Sequence, residues 1–194
     1  MDIKILLSNI AETTEAFDVS GLSLNTKTLT KGDLFIALQG EKSHGAEYID
    51  SAIENGCIAV LIEGRDVDCG VPTIRIDNLK PHLSGLAQNF YTKAKDVDLI
   101  AVTGTNGKTS VSHYISQLLD FLEVNNGVIG TLGISKVEKK SINTTPDIFS
   151  IYSSLEEYSS QGIKLAIIEA SSHALMQDRL EGLSFVQGIF TNLT

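Results

Sequence analysis

Ala101-Val102-Thr103-Gly104-Thr105-Asn106-Gly107-Lys108-Thr109-Ser110 is the stretch around which this 194-residue chain is organised. The apolar run Leu99 to Val102 leads into it. Val111, Ile115, Leu118, Leu119 and Leu122 follow at spacings of three and four, as one apolar helix face requires. A strand, a Gly-rich turn and a Lys-Thr pair opening a helix make a phosphate-binding loop. Its glycines let the backbone turn tightly with N–H groups inward, and the helix N-terminus adds positive potential. Gly104, Thr105, Asn106, Gly107, Lys108, Thr109 and Ser110 would then hold nucleotide phosphates. Lys108 would reach the terminal phosphates, and the Thr109 hydroxyl would ligate Mg²⁺. A standard Walker A spacing would need Gly where Val102 stands; here two residues separate Gly104 from Gly107. An ordinary strand-to-helix turn with a surface Lys is the plainer alternative. The agreement of strand, helix and Lys-Thr-Ser run argues against it.

A second signal lies at Leu165-Ala166-Ile167-Ile168-Glu169, four apolar residues ending in a carboxylate. An acid at such a strand end sits near Mg²⁺ in phosphate-loop enzymes. Alone it would read as a strand-terminal Glu facing solvent; beside the loop it reads as a metal residue. Ala170-Ser171-Ser172-His173 then crowds polar side chains onto the same strand end, with His173 read as a structural hydrogen-bonder rather than a catalyst.

Composition narrows the class. Hydrophobic residues make up 42% and prolines number three, which suits a globular chain rather than a disordered one. The net charge of −9 and the lack of a basic stripe argue against an extended nucleic-acid partner. No run approaches the roughly 20 apolar residues of a membrane span. Met1 to Asn9 is too short in apolar residues for a signal peptide, so the expected location is the cytoplasm. Cys57 and Cys69, without a His cluster, read as ordinary thiols.

Alternating strand and helix signals predict an α/β chain with a mostly parallel sheet covered on both faces. Strands are expected from Gly21 (Leu22, Leu24 and Thr26 alternating), over Leu34–Leu38, Ile58–Ile62 and Thr73–Ile76. Helices are expected over Glu47–Asn55 and after Asn78 as N-cap, with Leu79, Leu83, Leu86, Ala87 and Phe90 inward. The polar segment Thr92 to Asp98 reads as a linker, dividing the chain into domains 1–95 and 96–194. Beyond it come a strand (98–102), a helix (108–122), a strand (127–129) and a helix opened by Thr145-Pro146 with Thr as cap. Strands at 164–168 and 187–190 follow, and the second unit ends while its site is still being built.

Taken together, Thr103-Gly-Thr-Asn-Gly-Lys-Thr109, Asn143-Thr-Thr-Pro146, Glu169-Ala-Ser-Ser-His173 and Phe190-Thr-Asn-Leu193 resemble the Mur ligases, in the family's order. The shortened phosphate loop is the form that family uses. Within it the blocks are similar to those of the ligases that add the third amino acid of the peptidoglycan stem peptide. Gly32-Asp33-Leu34-Phe35-Ile36-Ala37 and His44-Gly45 extend the likeness, more weakly, into a uridine-nucleotide-binding domain.

The resemblance implies ATP on Gly104 to Ser110, Mg²⁺ on Thr109 and Glu169, and Lys108 as the catalytic cation. It implies that Leu24, Thr26 and the Glu41-Lys42-Ser43 turn hold the uridine-diphosphate end of UDP-N-acetylmuramoyl-L-alanyl-D-glutamate. Asn143, Thr144, Thr145, Ser171, Gln177 and Arg179 would hold its muramoyl-dipeptide, Arg179 by bidentate bonding to an anion. Its plainer role is a surface charge beside Glu181. Asn25-Thr26-Lys27 departs from the family's Asp-Ser-Arg, keeping the hydroxyl but losing the carboxylate. Members also continue further, so the first domain and part of the ATPase domain are expected here, without the C-terminal domain. The reaction implied is ATP-dependent amide formation with a diamino acid through an acyl phosphate, by a monomer, with this segment inactive alone. A non-catalytic UDP-sugar and nucleotide-binding module, and an unrelated phosphate-loop kinase or NTPase, are the alternatives.

Overall fold

The computed structural model describes residues 1–40, 43–137 and 143–193, and the chain divides into two compact units, Met1–Phe90 and Tyr91–Thr194. The first unit holds α1 (Ile3–Leu6), β1 (Gly21–Ser23), β2 (Asp33–Ala37), α2 (Ile49–Glu54), β3 (Ala59–Glu63), β4 (Thr73–Ile76) and α3 (Leu83–Phe90). Its four strands form a wholly parallel sheet in the order β1-β2-β3-β4. β2 is buried at every residue and β3 at all but its last, as the continuous apolar runs require. Phe35, Ala37, Ile49, Ala52, Val60 and Ile62 form the centre of one core cluster.

Several boundaries move. β1 is only three residues long, so Leu24 and Thr26 lie beyond its carboxyl end. The helix expected from Glu47 begins instead as a 3-10 turn over Gly45–Tyr48, capped by His44, and Tyr48 stays 49% exposed. Asn78 is not the cap predicted before α3. Glu63 reaches across from the end of β3, and its carboxylate accepts the amides of Leu79 at 2.9 Å and Lys80 at 3.3 Å. A long-range acceptor has replaced a local one.

The second unit holds β5 (Asp98–Thr103), α4 (Lys108–Phe121), β6 (Asn126–Gly130), β7 (Gly133–Ile134), α5 (Ile148–Ser160), β8 (Leu165–Glu169), α6 (Ser172–Met176) and β9 (Phe185–Phe190). Its sheet runs β7-β6-β8-β5-β9, parallel except for β7, which folds back on β6. The segment read as a linker belongs here: Ala94–Asp96 is a 3-10 turn, and the amide of Lys93 donates to Glu156 at 2.6 Å. Asp147, not Thr145, caps α5, accepting from the amides of Phe149 and Ser150. Thr145 is buried and bonded elsewhere. α4 shows Leu118 at 64% and Leu122 at 66% exposure, although both belong to its predicted apolar face; only Val111, Ile115 and Leu119 pack on the core of Val102, Val128 and Ile167. Among the described residues no helix is long and apolar enough to cross a membrane.

Tyr158 ties this unit together. Its ring is fully buried, and its hydroxyl donates towards the carbonyls of Ser135 at 2.7 Å and Val128 at 3.2 Å. Burial pushes its hydroxyl up from 10.0 to about 12. In the unfolded chain the phenol deprotonates first, so its contribution to stability is complete below pH 10 and disappears by pH 12. Tyr158→Phe should cost about 1–2 kcal/mol in chemical denaturation at neutral pH. It should also flatten the loss of stability between pH 10 and 12, and an unchanged slope in that window would show that Tyr158 does not carry it.

Candidate functional site

β5 is flanked by β8 on one side and β9 on the other, with Val102 opposite Glu169 and Thr103 opposite Phe190. The connection through α4 leads to β6, beyond β8, whereas β9 lies on the opposite side. The carboxyl end of β5 is therefore where strand order reverses, the place at which open parallel sheets leave a crevice for ligands.

The phosphate-loop residues occupy that crevice. Gly107 takes the N-cap position of α4 with φ 84°. Gly104 has φ 133°, and a Cβ there would collide with the Thr191 hydroxyl, so both backbone strain and space demand glycine. Lys108 opens α4 and folds its ammonium onto the loop, donating to the carbonyls of Gly104 at 2.6 Å and Thr105 at 3.3 Å. Thr109 donates its hydroxyl to Glu169 Oε2 at 3.0 Å. Ser110 is exposed one residue further on.

The loop is braced from the end of β9. Asn192 accepts the Asn106 amide at 3.1 Å through Oδ1 and donates to the Asn106 carbonyl at 3.0 Å through Nδ2. The Asn192 carbonyl takes the Thr105 amide at 3.1 Å, and the Thr191 hydroxyl donates to the Asn106 carbonyl at 2.6 Å. Residue type and spacing give Thr191 and Asn192 no role; their grip on the phosphate loop depends on β9 lying beside β5.

Glu169 ends β8 and is fully buried. Its Oε2 accepts from Thr109 and from the Thr131 hydroxyl at 2.9 Å, and its Oε1 accepts the Thr131 amide at 3.1 Å. Gly130 leaves the room for it, since a Cβ there would run into the carboxylate. Ligands about 2.1 Å from an octahedral Mg²⁺ stand about 3.0 Å from their neighbours. The 3.0 Å between Thr109 Oγ1 and Glu169 Oε2 matches that spacing, so the pair fits Mg²⁺. Among the described residues no three His, Cys, Asp or Glu side chains gather into a metal cluster. A cation here would take its remaining ligands from phosphate and water.

The residues expected to hold the dipeptide come together around the same strand end. Thr145 donates its hydroxyl to the Glu169 carbonyl at 2.6 Å and lies 3.1 Å from Ser171 Oγ. It is 1% exposed, so its side chain serves as an internal brace rather than a ligand contact. Ser171 caps α6, accepting the Ala174 amide. Arg179 donates to the Thr145 carbonyl at 2.6 Å and to Gln177 Oε1 at 2.6 and 3.0 Å. Among the described residues no carboxylate pairs with this guanidinium, which leaves its charge available to an anion. Thr144 lies 3.1 Å from the Thr131 hydroxyl, and Asn143 precedes it. His173 is exposed and makes no side-chain hydrogen bond among the described residues, contrary to the structural role predicted for it.

In the first unit, Leu24 and Thr26 follow the carboxyl end of β1, and Ser43 follows that of its parallel neighbour β2. The Thr26 carbonyl accepts from Asn55 at 3.1 Å, and Ser43 Oγ is 3.4 Å from the Tyr48 hydroxyl. Glu41 and Lys42 lie outside the described residues.

The sequence pattern of the Mur ligase middle domain matches residues 102–194, and that of the Mur ligase family, catalytic domain, matches residues 18–91. The chain belongs to the Mur ligase family. As a Mur ligase it has no place among unrelated phosphate-loop kinases, which removes that alternative. It is 35% identical over 180 residues to the UDP-N-acetylmuramoyl-L-alanyl-D-glutamate–2,6-diaminopimelate ligase of Alkaliphilus oremlandii, covering 91% of this chain and 37% of that protein. The ligase of the same name from Haemophilus influenzae is 36% identical over 199 residues, 97% of this chain and 41% of that protein. A solved structure of a ligase of this name superposes on the whole chain with a TM-score of 0.78 at 27% identity, over 40% of its own length. This Mur ligase chain thus spans about two fifths of the relatives it matches.

Asn192→Ala should release the loop without unfolding the sheet. Exchange of the Asn106 amide hydrogen should accelerate about tenfold, corresponding to one lost hydrogen bond. An unchanged rate would mean that Asn192 does not hold the loop.

Proposed function

We propose that this chain is the uridine-nucleotide-binding unit and the phosphate-binding part of a ligase that joins a diamino acid to UDP-N-acetylmuramoyl-L-alanyl-D-glutamate, using ATP. The observation that carries this reading is the Thr109–Glu169 pair at 3.0 Å, set beside Lys108 at the end of β5. The diamino acid we assign is 2,6-diaminopimelate, the acceptor in the names of both relatives. The compartment is the cytoplasm, where ATP and the UDP-linked substrate are found together, and the acting form is a monomer.

The unit carrying the uridine end is Met1–Phe90 in this reading, with Leu24, Thr26 and the Glu41-Lys42-Ser43 turn as its contacts. The second unit, Tyr91–Thr194, carries the nucleotide phosphates on Gly104 to Ser110. Lys108 would leave the Gly104 and Thr105 carbonyls and turn to the phosphates, because an anion is a stronger partner for an ammonium than a carbonyl. Thr109 and Glu169 would hold Mg²⁺, whose chemistry is to neutralise phosphate charge.

The ligation has two displacements. A substrate carboxylate oxygen attacks the γ-phosphorus of ATP, the bond to ADP breaks, and an acyl phosphate forms. The amine then attacks the acyl carbon, loses a proton, and inorganic phosphate leaves as the amide bond closes. Arg179, held by Thr145 and Gln177, would orient the anionic substrate, with Asn143, Thr144 and Ser171 around it. The chain's own contribution is charge neutralisation and positioning.

In a ligase that carries this segment whole, Lys108→Ala should lower ATP-dependent amide formation by about 100- to 1000-fold. Product analysis with ATP, the UDP-linked dipeptide and 2,6-diaminopimelate measures it, and turnover at the unsubstituted rate would refute the assignment. The 194-residue chain alone should form no amide. Calorimetry on it should still show ADP binding; UDP-sugar binding with no nucleotide site would favour the non-catalytic module instead.

A further inference from the structure

Thr131 contacts both oxygens of Glu169, a two-point hold that no other described residue makes. Its amide reaches Oε1 at 3.1 Å, and its hydroxyl reaches Oε2 at 2.9 Å. The same hydroxyl lies 3.1 Å from the Thr144 hydroxyl. A hydroxyl has one proton, and a carboxylate can only accept. The Thr131 proton faces both Glu169 Oε2 and the Thr144 oxygen, and the carboxylate, nearer and charged, is the stronger acceptor.

The third donor to this carboxylate, Thr109, cannot keep its place when a cation is present. To ligate Mg²⁺ its oxygen must turn a lone pair to the ion, and its proton then points away from Glu169. Thr131 is on a different segment and loses nothing in that exchange. It is also fixed where it is: Gly130 before it passes so close to Glu169 that no Cβ fits, so the carboxylate packs against the Gly130 backbone and is bonded by Thr131 next to it.

We propose that Thr131 is a positioning residue for the magnesium site: it holds the Glu169 carboxylate in place when Thr109 turns to the ion, and it links that carboxylate through Thr144 to the segment assigned to the dipeptide. This inference rests on the ATP-dependent reading above. It assigns to Thr131 an orienting role of the kind that outer partners of metal ligands perform, whose loss weakens metal affinity by about 10- to 100-fold.

The test is isothermal titration of the 194-residue chain with ADP, in EDTA and again in saturating Mg²⁺. Thr131→Val removes the hydroxyl at nearly constant volume and keeps the amide; Thr131→Ser keeps both donors. The expected result is that Thr131→Val loses about tenfold of the Mg²⁺-dependent gain in ADP affinity, Thr131→Ser retains the gain, and all three proteins bind ADP equally in EDTA. A full Mg²⁺ gain in Thr131→Val overturns the inference alone, as does an equal loss of affinity in EDTA, which would mark a merely structural role. No ADP binding by the unsubstituted chain overturns the ligase reading together with it. Should Thr131→Val not fold, Thr131→Ala decides: a lost Mg²⁺ gain with ADP binding in EDTA retained supports the inference, and a full gain refutes it.

Discussion

A carboxylate buried at the end of a strand must be hydrogen-bonded from several sides, and the site in this chain is arranged to satisfy that demand at Glu169. Burying such a group without partners would cost several kcal/mol, of the order of a domain's entire net stability. Thr109 bonds to it from the start of α4, and Thr131 from the turn after β6. Its own backbone carbonyl takes the Thr145 hydroxyl. Four segments far apart in sequence meet at one residue for this reason. A cation beside nucleotide phosphates would find a carboxylate already oriented, so little reorganisation is left for the moment of binding.

The phosphate loop is held by a comparable logic with different chemistry. A loop with two glycines in four residues, Gly104 and Gly107, loses much conformational entropy on ordering, and its own side chains cannot offset that. Here the compensation comes from Thr191 and Asn192, which treat Asn106 as though it were a strand residue, bonding both its amide and its carbonyl. The ammonium of Lys108 meanwhile satisfies itself on two loop carbonyls. The loop is preorganised, and its cation has weak partners to exchange for strong ones.

Local patterns were legible wherever the physics is local. The period of Leu165–Ile168, the burial of Leu34–Ala37 and the Gly-Lys-Thr signature all survive nearly to the residue, because strand burial and tight turns depend on neighbours in sequence. The helix starts were less legible. Asn78 and Thr145 are good capping residues by type, but Glu63 reached the amides after Asn78 from another strand, and Asp147 lay two residues deeper than Thr145. The α4 face departs from its pattern for the same reason: periodicity shows which residues are apolar, and only the packing shows that Leu118 and Leu122 remain at the surface.

The site divides along the same line. Lys108, Thr109 and Glu169 could be named from residue type and spacing, because each sits at a strand end or helix start that announces itself; the Asn143–Thr145 segment was implied only by the family resemblance. Thr131 and Asn192 could not, although both follow strands. A lone Thr or Asn after a strand is ordinary until the sheet order is known. Once β8 lies between β5 and β6, and β9 lies on the far side of β5, the turn after β6 faces Glu169 and the segment after β9 faces the phosphate loop. The order of strands in a sheet is decided by nonlocal packing, which the spacing of residues along the chain does not encode.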